Sequence, residues 1–99
     1  MKYYTAGFFT IEDFNRFKAE FDSMQDSLRS WGFARTFLNR DLDNPNRLII
    51  VHEVEDLDKV RAFYSSPQFK QCIQKAGLIG EPQVLFMEEL ARTPAMVSV

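Results

Sequence analysis

The chain has one cysteine, one histidine, four glycines and four prolines in 99 residues. A lone Cys72 excludes an intramolecular disulfide. Nothing behind Met1-Lys2-Tyr3-Tyr4 reads as a signal peptide, and no long apolar run follows, so the expectation is a soluble protein of a reducing cytoplasm. One histidine and one cysteine leave no ligand set for a structural zinc, and no metal site is expected. Twelve Lys and Arg are outnumbered by fourteen Asp and Glu, for a net charge of −2. The basic residues form no stripe, which argues against a nucleic-acid partner and against docking on an anionic membrane. There is no repeat and no linker. The chain reads as a single domain over residues 1–90 with a C-terminal tail over 91–99.

What the chain does have is aromatic bulk. Ten Phe, three Tyr and one Trp sit in a composition that is 45% hydrophobic, which excludes disorder. The aromatic and apolar residues mark elements. Lys2 to Phe9 reads as a strand. Thr10 is the expected N-cap of a long helix, with Asp13 in its first turn and Ile11, Phe14, Phe17, Phe21, Met24 and Leu28 on one face, ending at Gly32. Phe33 to Asp41 and Arg47 to Val54 read as a hairpin closed through Asp43-Asn44-Pro45-Asn46. Glu55 to Asp58 opens a second helix that Pro67 breaks and restarts, running to Ala76-Gly77. Gln83 to Leu90 is the last strand. The order is βαββαβ, the ferredoxin-like α+β arrangement: a four-stranded antiparallel sheet with helices on one face.

The hairpin strands are apolar on both faces, as Phe37-Leu38 and Leu48-Ile49-Ile50-Val51 show. An antiparallel sheet of a lone small domain leaves one face to water and alternates cleanly. A second copy covering the open face would account for the difference, so a homodimer is expected. If Leu42 pairs with Arg47, Phe37 lies opposite His52, Asn39 opposite Ile50 and Arg35 opposite Val54. That register puts Arg35, Phe37, Asn39, Ile50, His52 and Val54 on the open face, and Ala34, Thr36, Leu38, Ile49 and Val51 under the helices. A loop of odd length would reverse the assignment. The first set mixes apolar walls with a few polar groups, as a pocket for a small organic ligand does.

From about Lys2 to Leu90 the chain resembles the dimeric α+β barrel proteins, among them the antibiotic-biosynthesis monooxygenases. The residues that carry the resemblance are Asn39-Arg40-Asp41 leading to Asp43-Asn44-Pro45-Asn46, then Val51-His52-Glu53-Val54-Glu55-Asp56, Phe63-Tyr64-Ser65-Ser66-Pro67 and Ala76-Gly77-Leu78-Ile79-Gly80-Glu81-Pro82. The last of these is similar to a branch of small proteins whose final helix ends in an Ala-Gly loop. The resemblance implies a homodimer whose sheets face each other and close a barrel. It implies little about chemistry, because the fold hosts oxygenases, haem-degrading enzymes, cyclases and isomerases. Relatives often carry a histidine in the first strand, where this chain has Tyr3-Tyr4-Thr5-Ala6-Gly7. His52 on a strand and Trp31 after a helix do not match the haem-degrading pattern.

The residues leave two functions open. In one, an apolar pocket between two sheets holds an organic ligand for a monooxygenase- or cyclase-type reaction without cofactor. His52 then moves a proton, and Arg35 or Asn39 holds an oxyanion. In the other, large aromatics fill the barrel and the protein is a non-enzymatic association or sensing module, with His52 a half-buried strand residue bonded to a neighbour. Cys72, beside Phe69 and Ile73, reads as an inert thiol. Trp31 reads as packing, Tyr64 as either packing or a hydroxyl for a ligand, and the acids Glu53, Glu55, Asp56 and Asp58 as a solvated strand end running into a helix start.

Overall fold

A computed structural model describes residues 2–95. Its elements are β1 (Tyr3–Ile11), α1 (Phe14–Ser23), two short 3-10 turns (Gln25–Ser27 and Arg29–Trp31), β2 (Phe33–Arg40), β3 (Arg47–Val54), α2 (Leu57–Tyr64), α3 (Pro67–Ala76) and β4 (Leu78–Glu88). The strands form one antiparallel four-stranded sheet in the order β2-β3-β1-β4. The helices cover one face, and the fold is the ferredoxin-like α+β arrangement that the element order predicts.

The first helix differs from its sequence pattern at both ends. Thr10 and Ile11 still belong to β1, paired with Ile79 and Leu78 of β4, and the Ile11 amide donates to the Asn46 carbonyl at 2.9 Å. The N-cap is therefore Asp13, which accepts from the Asn15 amide at 3.1 Å. At the other end α1 stops at Ser23, and Met24 and Leu28 flank the 3-10 turns. Side chains there compete for the helical carbonyls. Ser23 donates to Glu20 O at 2.7 Å, Gln25 to Phe21 O at 2.8 Å and Ser30 to Ser27 O at 2.6 Å. Gly32 ends the segment as expected, with a left-handed φ of 97°.

The second helical region divides at Pro67 as its sequence indicates. Asp56 caps α2 and Ser66 caps α3, and α3 ends on Gly77. Arg16 of α1 reaches the open end of α3, donating to Lys75 O at 3.0 Å and Gln74 O at 3.1 Å. A cation at the carbonyl end of a helix meets its partial negative charge, so this contact fixes α1 against α3. β4 begins earlier than Gln83, because Leu78 and Ile79 reach β1 before the irregularity at Gly80 and Pro82. As an edge strand it tolerates a proline. After β4, the Glu89 amide still donates to Lys2 O at 2.9 Å. Residues 91–95 of the expected tail carry no regular structure, and 96–99 lie outside the described residues.

The β2–β3 register differs from the expected one by a single residue. Asp41 N donates to Arg47 O at 3.0 Å, so the loop is odd in length, 42–46. Thr36, Leu38 and Arg40 then pair with His52, Ile50 and Leu48. The consequence splits the expected ligand face. Ile50, His52 and Val54 lie under the helices, whereas Arg35, Phe37 and Asn39 stay on the open face, now with Ile49 and Val51.

Two buried clusters fill the space between helices and sheet. One joins Phe9, Ile11, Phe17, Phe21, Leu48, Ile50 and Ala76. The other joins Leu28, Phe33, Val60 and Phe63, and Phe69 packs against both. The Gly32 carbonyl accepts from the amides of Glu55 and Asp56 at 2.8 and 3.0 Å, and an added Cβ would lie 2.5 Å from Asp56 O. Gly32→Ala is expected to cost about 1–3 kcal/mol, read as a lowered urea midpoint with an unchanged slope.

Candidate functional site

One row of side chains crosses the helix-facing side of the sheet and differs from its neighbours. Thr36 of β2, His52 of β3, Thr5 of β1 and Phe86 of β4 lie side by side. The adjacent row is Leu38, Ile50, Gly7 and Val84. The ring of Phe9 covers Gly7, where a Cβ would sit 2.6 Å from it. Gly7 therefore leaves room for an aromatic floor that a larger residue would displace.

Above this floor is a cavity of about 60 Å³, roofed by Phe17, Phe21 and Met24 from the end of α1, by Leu28 and Trp31, by Phe63 and Tyr64 of α2, and by Phe69, Cys72 and Ile73 of α3. Its lining is almost wholly apolar. Each water in the liquid takes about 30 Å³, and a benzene-binding cavity measures about 150 Å³. The space thus accommodates a molecule as small as dioxygen at rest, and a ring only after side chains turn.

His52 is the main polar group on the floor. Its ring packs on Phe33 with centroids 4.2 Å apart, and Phe33 is in edge contact with Phe63 and Tyr64. Trp31 stacks on Phe63 at 4.3 Å. Nδ1 of His52 shares a hydrogen bond with Thr36 Oγ1 at 2.7 Å. Burial disfavours the imidazolium and lowers the pKa of His52 to about 4. Tyr64 is displaced the other way. Burial raises its phenol to about 12, against a smaller opposing effect of its 3.1 Å hydrogen bond with Thr5 Oγ1. At neutral pH the chamber therefore holds an uncharged imidazole and a protonated phenol. One can accept a proton and the other can donate one. Burial also pushes the Cys72 thiol up, with Glu20 adding to the effect, and the residue is half-buried rather than fully enclosed.

A family model for antibiotic biosynthesis monooxygenase matches residues 9–75. The chain belongs to the antibiotic biosynthesis monooxygenase family. Solved structures agree with it in fold. A Bordetella bronchiseptica protein assigned to the same family is 17% identical, with a TM-score of 0.77 over 91% of this chain and 98% of its own. SnoaB, a cofactor-independent oxygenase from Streptomyces nogalater, is 18% identical, with a TM-score of 0.72 over 95% and 97%. A conserved protein from Methanosarcina mazei Go1 is 16% identical, with a TM-score of 0.72 over 90% and 93%. None of the curated proteins matches the chain.

Within this monooxygenase-family fold the residues expected to form one site are divided by the sheet. Ile50 and His52 line the cavity, and Val54 packs against the second cluster. Arg35 lies on the opposite face. It holds Glu53 in two hydrogen bonds, Nε to Oε2 at 2.9 Å and Nη2 to Oε1 at 3.0 Å, with Lys2 Nζ 3.6 Å away. The Arg35 hydrogen bonds hold the Glu53 carboxyl below its usual range, against a smaller effect of desolvation. Asn39 donates to the carbonyls of Phe37 and Ile49. Neither Arg35 nor Asn39 can reach an oxyanion in the chamber. Thr5 and Thr36 were not singled out by the sequence for this site, whereas Tyr64 reads there as a hydroxyl for a ligand or as packing. The first two are hydroxyls on an apolar face, a signal that needs the register to be read.

Among the described residues no group of three His, Cys, Asp or Glu is placed to hold a metal ion. None of their helices is long and apolar enough to cross a membrane.

The buried imidazole makes stability depend on pH. Its folded pKa, about 4, lies below the ordinary 6.5, so the unfolded chain binds more protons between these values and stability falls as pH falls through that window. The loss attributable to His52 reaches about 3 kcal/mol by pH 4. Urea unfolding across pH 7 to 4 is expected to show this slope, and His52→Gln is expected to flatten it.

Proposed function

We propose that the chain is a cofactor-independent oxygenase for small hydroxylated aromatic compounds, acting in the chamber between helices and sheet. One observation carries the reading: an uncharged imidazole, fixed through Nδ1 by Thr36, stands at the wall of an apolar cavity. The family and the fold shared with SnoaB support it. If Nδ1 carries the proton toward Thr36, the lone pair of Nε2 faces the chamber and can take a proton from a phenol. The resulting phenolate is electron-rich enough to reduce dioxygen. Oxygen bonds to a ring carbon, the imidazolium returns its proton to the peroxide so formed, and loss of that carbon's hydrogen as a proton breaks the O–O bond to leave a quinone and water. The two electrons come from the substrate; one oxygen atom stays in the product and the other leaves as water. In this scheme Tyr64 gives a proton to the departing oxygen and recovers one from the ring carbon. The imidazolium formed would be unstable alone in this chamber, and the phenolate beside it supplies the opposite charge that stabilises it.

The test is oxygen uptake with a panel of hydroquinones and naphthols. His52→Gln is expected to lower kcat/KM about a hundredfold or more, and Asp58→Asn at an exposed position of α2 to leave it unchanged. In the wild type the acid limb of kcat/KM is expected near pH 4, well below an ordinary histidine. Full activity of His52→Gln would overturn the assignment. The small volume of the cavity favours a second reading, an association module whose chamber is merely core. Absence of uptake across the panel would support that reading.

The active unit in this proposal is a homodimer. Phe37, Val51, Ala6 and Leu85 form a row across the face opposite the helices, with Phe37 45% and Leu85 44% exposed. Met87, Phe8 and Ile49 extend the apolar area, and a second copy of the same face would cover it. Leu85→Arg is expected to give a folded monomer by sedimentation and circular dichroism. If that variant remained a dimer, this face would not be the interface.

A further inference from the structure

A second hollow adjoins the chamber. It is a surface groove of about 180 Å³ on the outer side of the roof, and Met24, Trp31 and Cys72 border both spaces. The groove is polar where the chamber is apolar. Ser27, Gln68 and Gln71 supply a hydroxyl and amides, and Glu20 and Lys75 supply charges of opposite sign. A neutral hydrogen-bonding group fits such a rim better than an ion of either sign, because each charge of the pair would repel one.

The shared wall is also the least regular part of the roof. Regular α1 ends at Ser23, and the backbone from Gln25 to Trp31 runs through 3-10 turns, whose hydrogen-bond geometry is poorer than that of an α-helix. Met24 is unbranched and adapts its shape at little cost. All three wall side chains are half-buried. A ring needs more than the resting 60 Å³, and displacing this wall would join the chamber to the groove.

We propose that chamber and groove form one bipartite site for a ring compound bearing an uncharged hydrogen-bonding substituent, admitted by displacement of Met24, Trp31 and Cys72. The ring occupies the chamber, as in the function proposed above on which this rests, and the substituent lies between α3 and the turns after α1. The site discriminates among aromatic compounds by what projects from the ring.

The chain's sole tryptophan and sole cysteine both stand on this wall and report on it directly. The probes are naphthalene and a naphthamide carrying a hydroxyethyl group on its nitrogen. Binding is followed by Trp31 emission and by the rate at which iodoacetamide alkylates Cys72. The naphthamide is expected to bind about tenfold more tightly than naphthalene and to slow alkylation severalfold. Gln71→Ala, an exposed position, is expected to remove most of the naphthamide's advantage and leave naphthalene binding unchanged. Equal affinities, or an undiminished alkylation rate in saturated protein, would overturn the bipartite site while leaving the chamber reading intact. Failure of both probes to perturb Trp31 would overturn the chamber as a ring site, and this proposal with it. Neither readout requires turnover, so absence of oxygen uptake is a separate result.

Discussion

The chamber depends on a bulge in an edge strand. Between the pairs Phe33–Val54 and Thr36–His52, β2 places Ala34 and Arg35 opposite the single residue Glu53. Phe33 and Thr36 are three residues apart, and in an unbroken strand they would point to opposite faces. The extra residue returns both to the helix side, one beneath the His52 ring and the other at its Nδ1. The same bulge brings Arg35 over Glu53 on the reverse face. Bulges that re-aim a side chain recur near active sites, and here one local irregularity supports two unlike environments.

The sheet lies between a neutral chamber and a charged cluster. On its helix side the His52 imidazole and the Tyr64 phenol of α2 are both held uncharged by burial. On its other side Arg35, Glu53 and Lys2 are paired in their charged forms, and Arg92 bridges Tyr4 and Glu89. The chamber lining carries no charged side chain, so an acid–base step there would begin without a resident charge.

The fold was legible because the strongest signals were local. Asp56, Ser66, Pro67, Gly77 and Gly32 mark helix ends by mechanisms that act within one turn, and the bounds expected for β3 match Arg47–Val54. The site was legible in part. His52 stood out as the one histidine, but its face depended on whether the turn after Arg40 held four or five residues, and Asp, Asn and Pro suit both. A slip of one residue moves every side chain of a strand to the other face. The bulge at Ala34–Arg35 carries no glycine or proline to announce it. The Thr10 cap failed for a related reason. Ile11 fits an apolar helical stripe as well as it fits a buried strand end, and only the pairing with Leu78 chooses between them.

The placement of β1 at the centre of the sheet has a consequence for synthesis. Its partners are β3 on one side and β4 on the other, and Tyr3 is matched to Val54 and to Glu88. The first strand made is thus the one that waits longest. While α1 and β2 emerge from the ribosome, both edges of Tyr3–Ile11 remain without their native neighbours, and the edge for β4 stays open until the last strand appears. An apolar strand with unpaired edges is a template for wrong pairing. Phe9, the residue of β1 that lines the chamber, therefore sits on a strand left unpaired until β3 and β4 arrive.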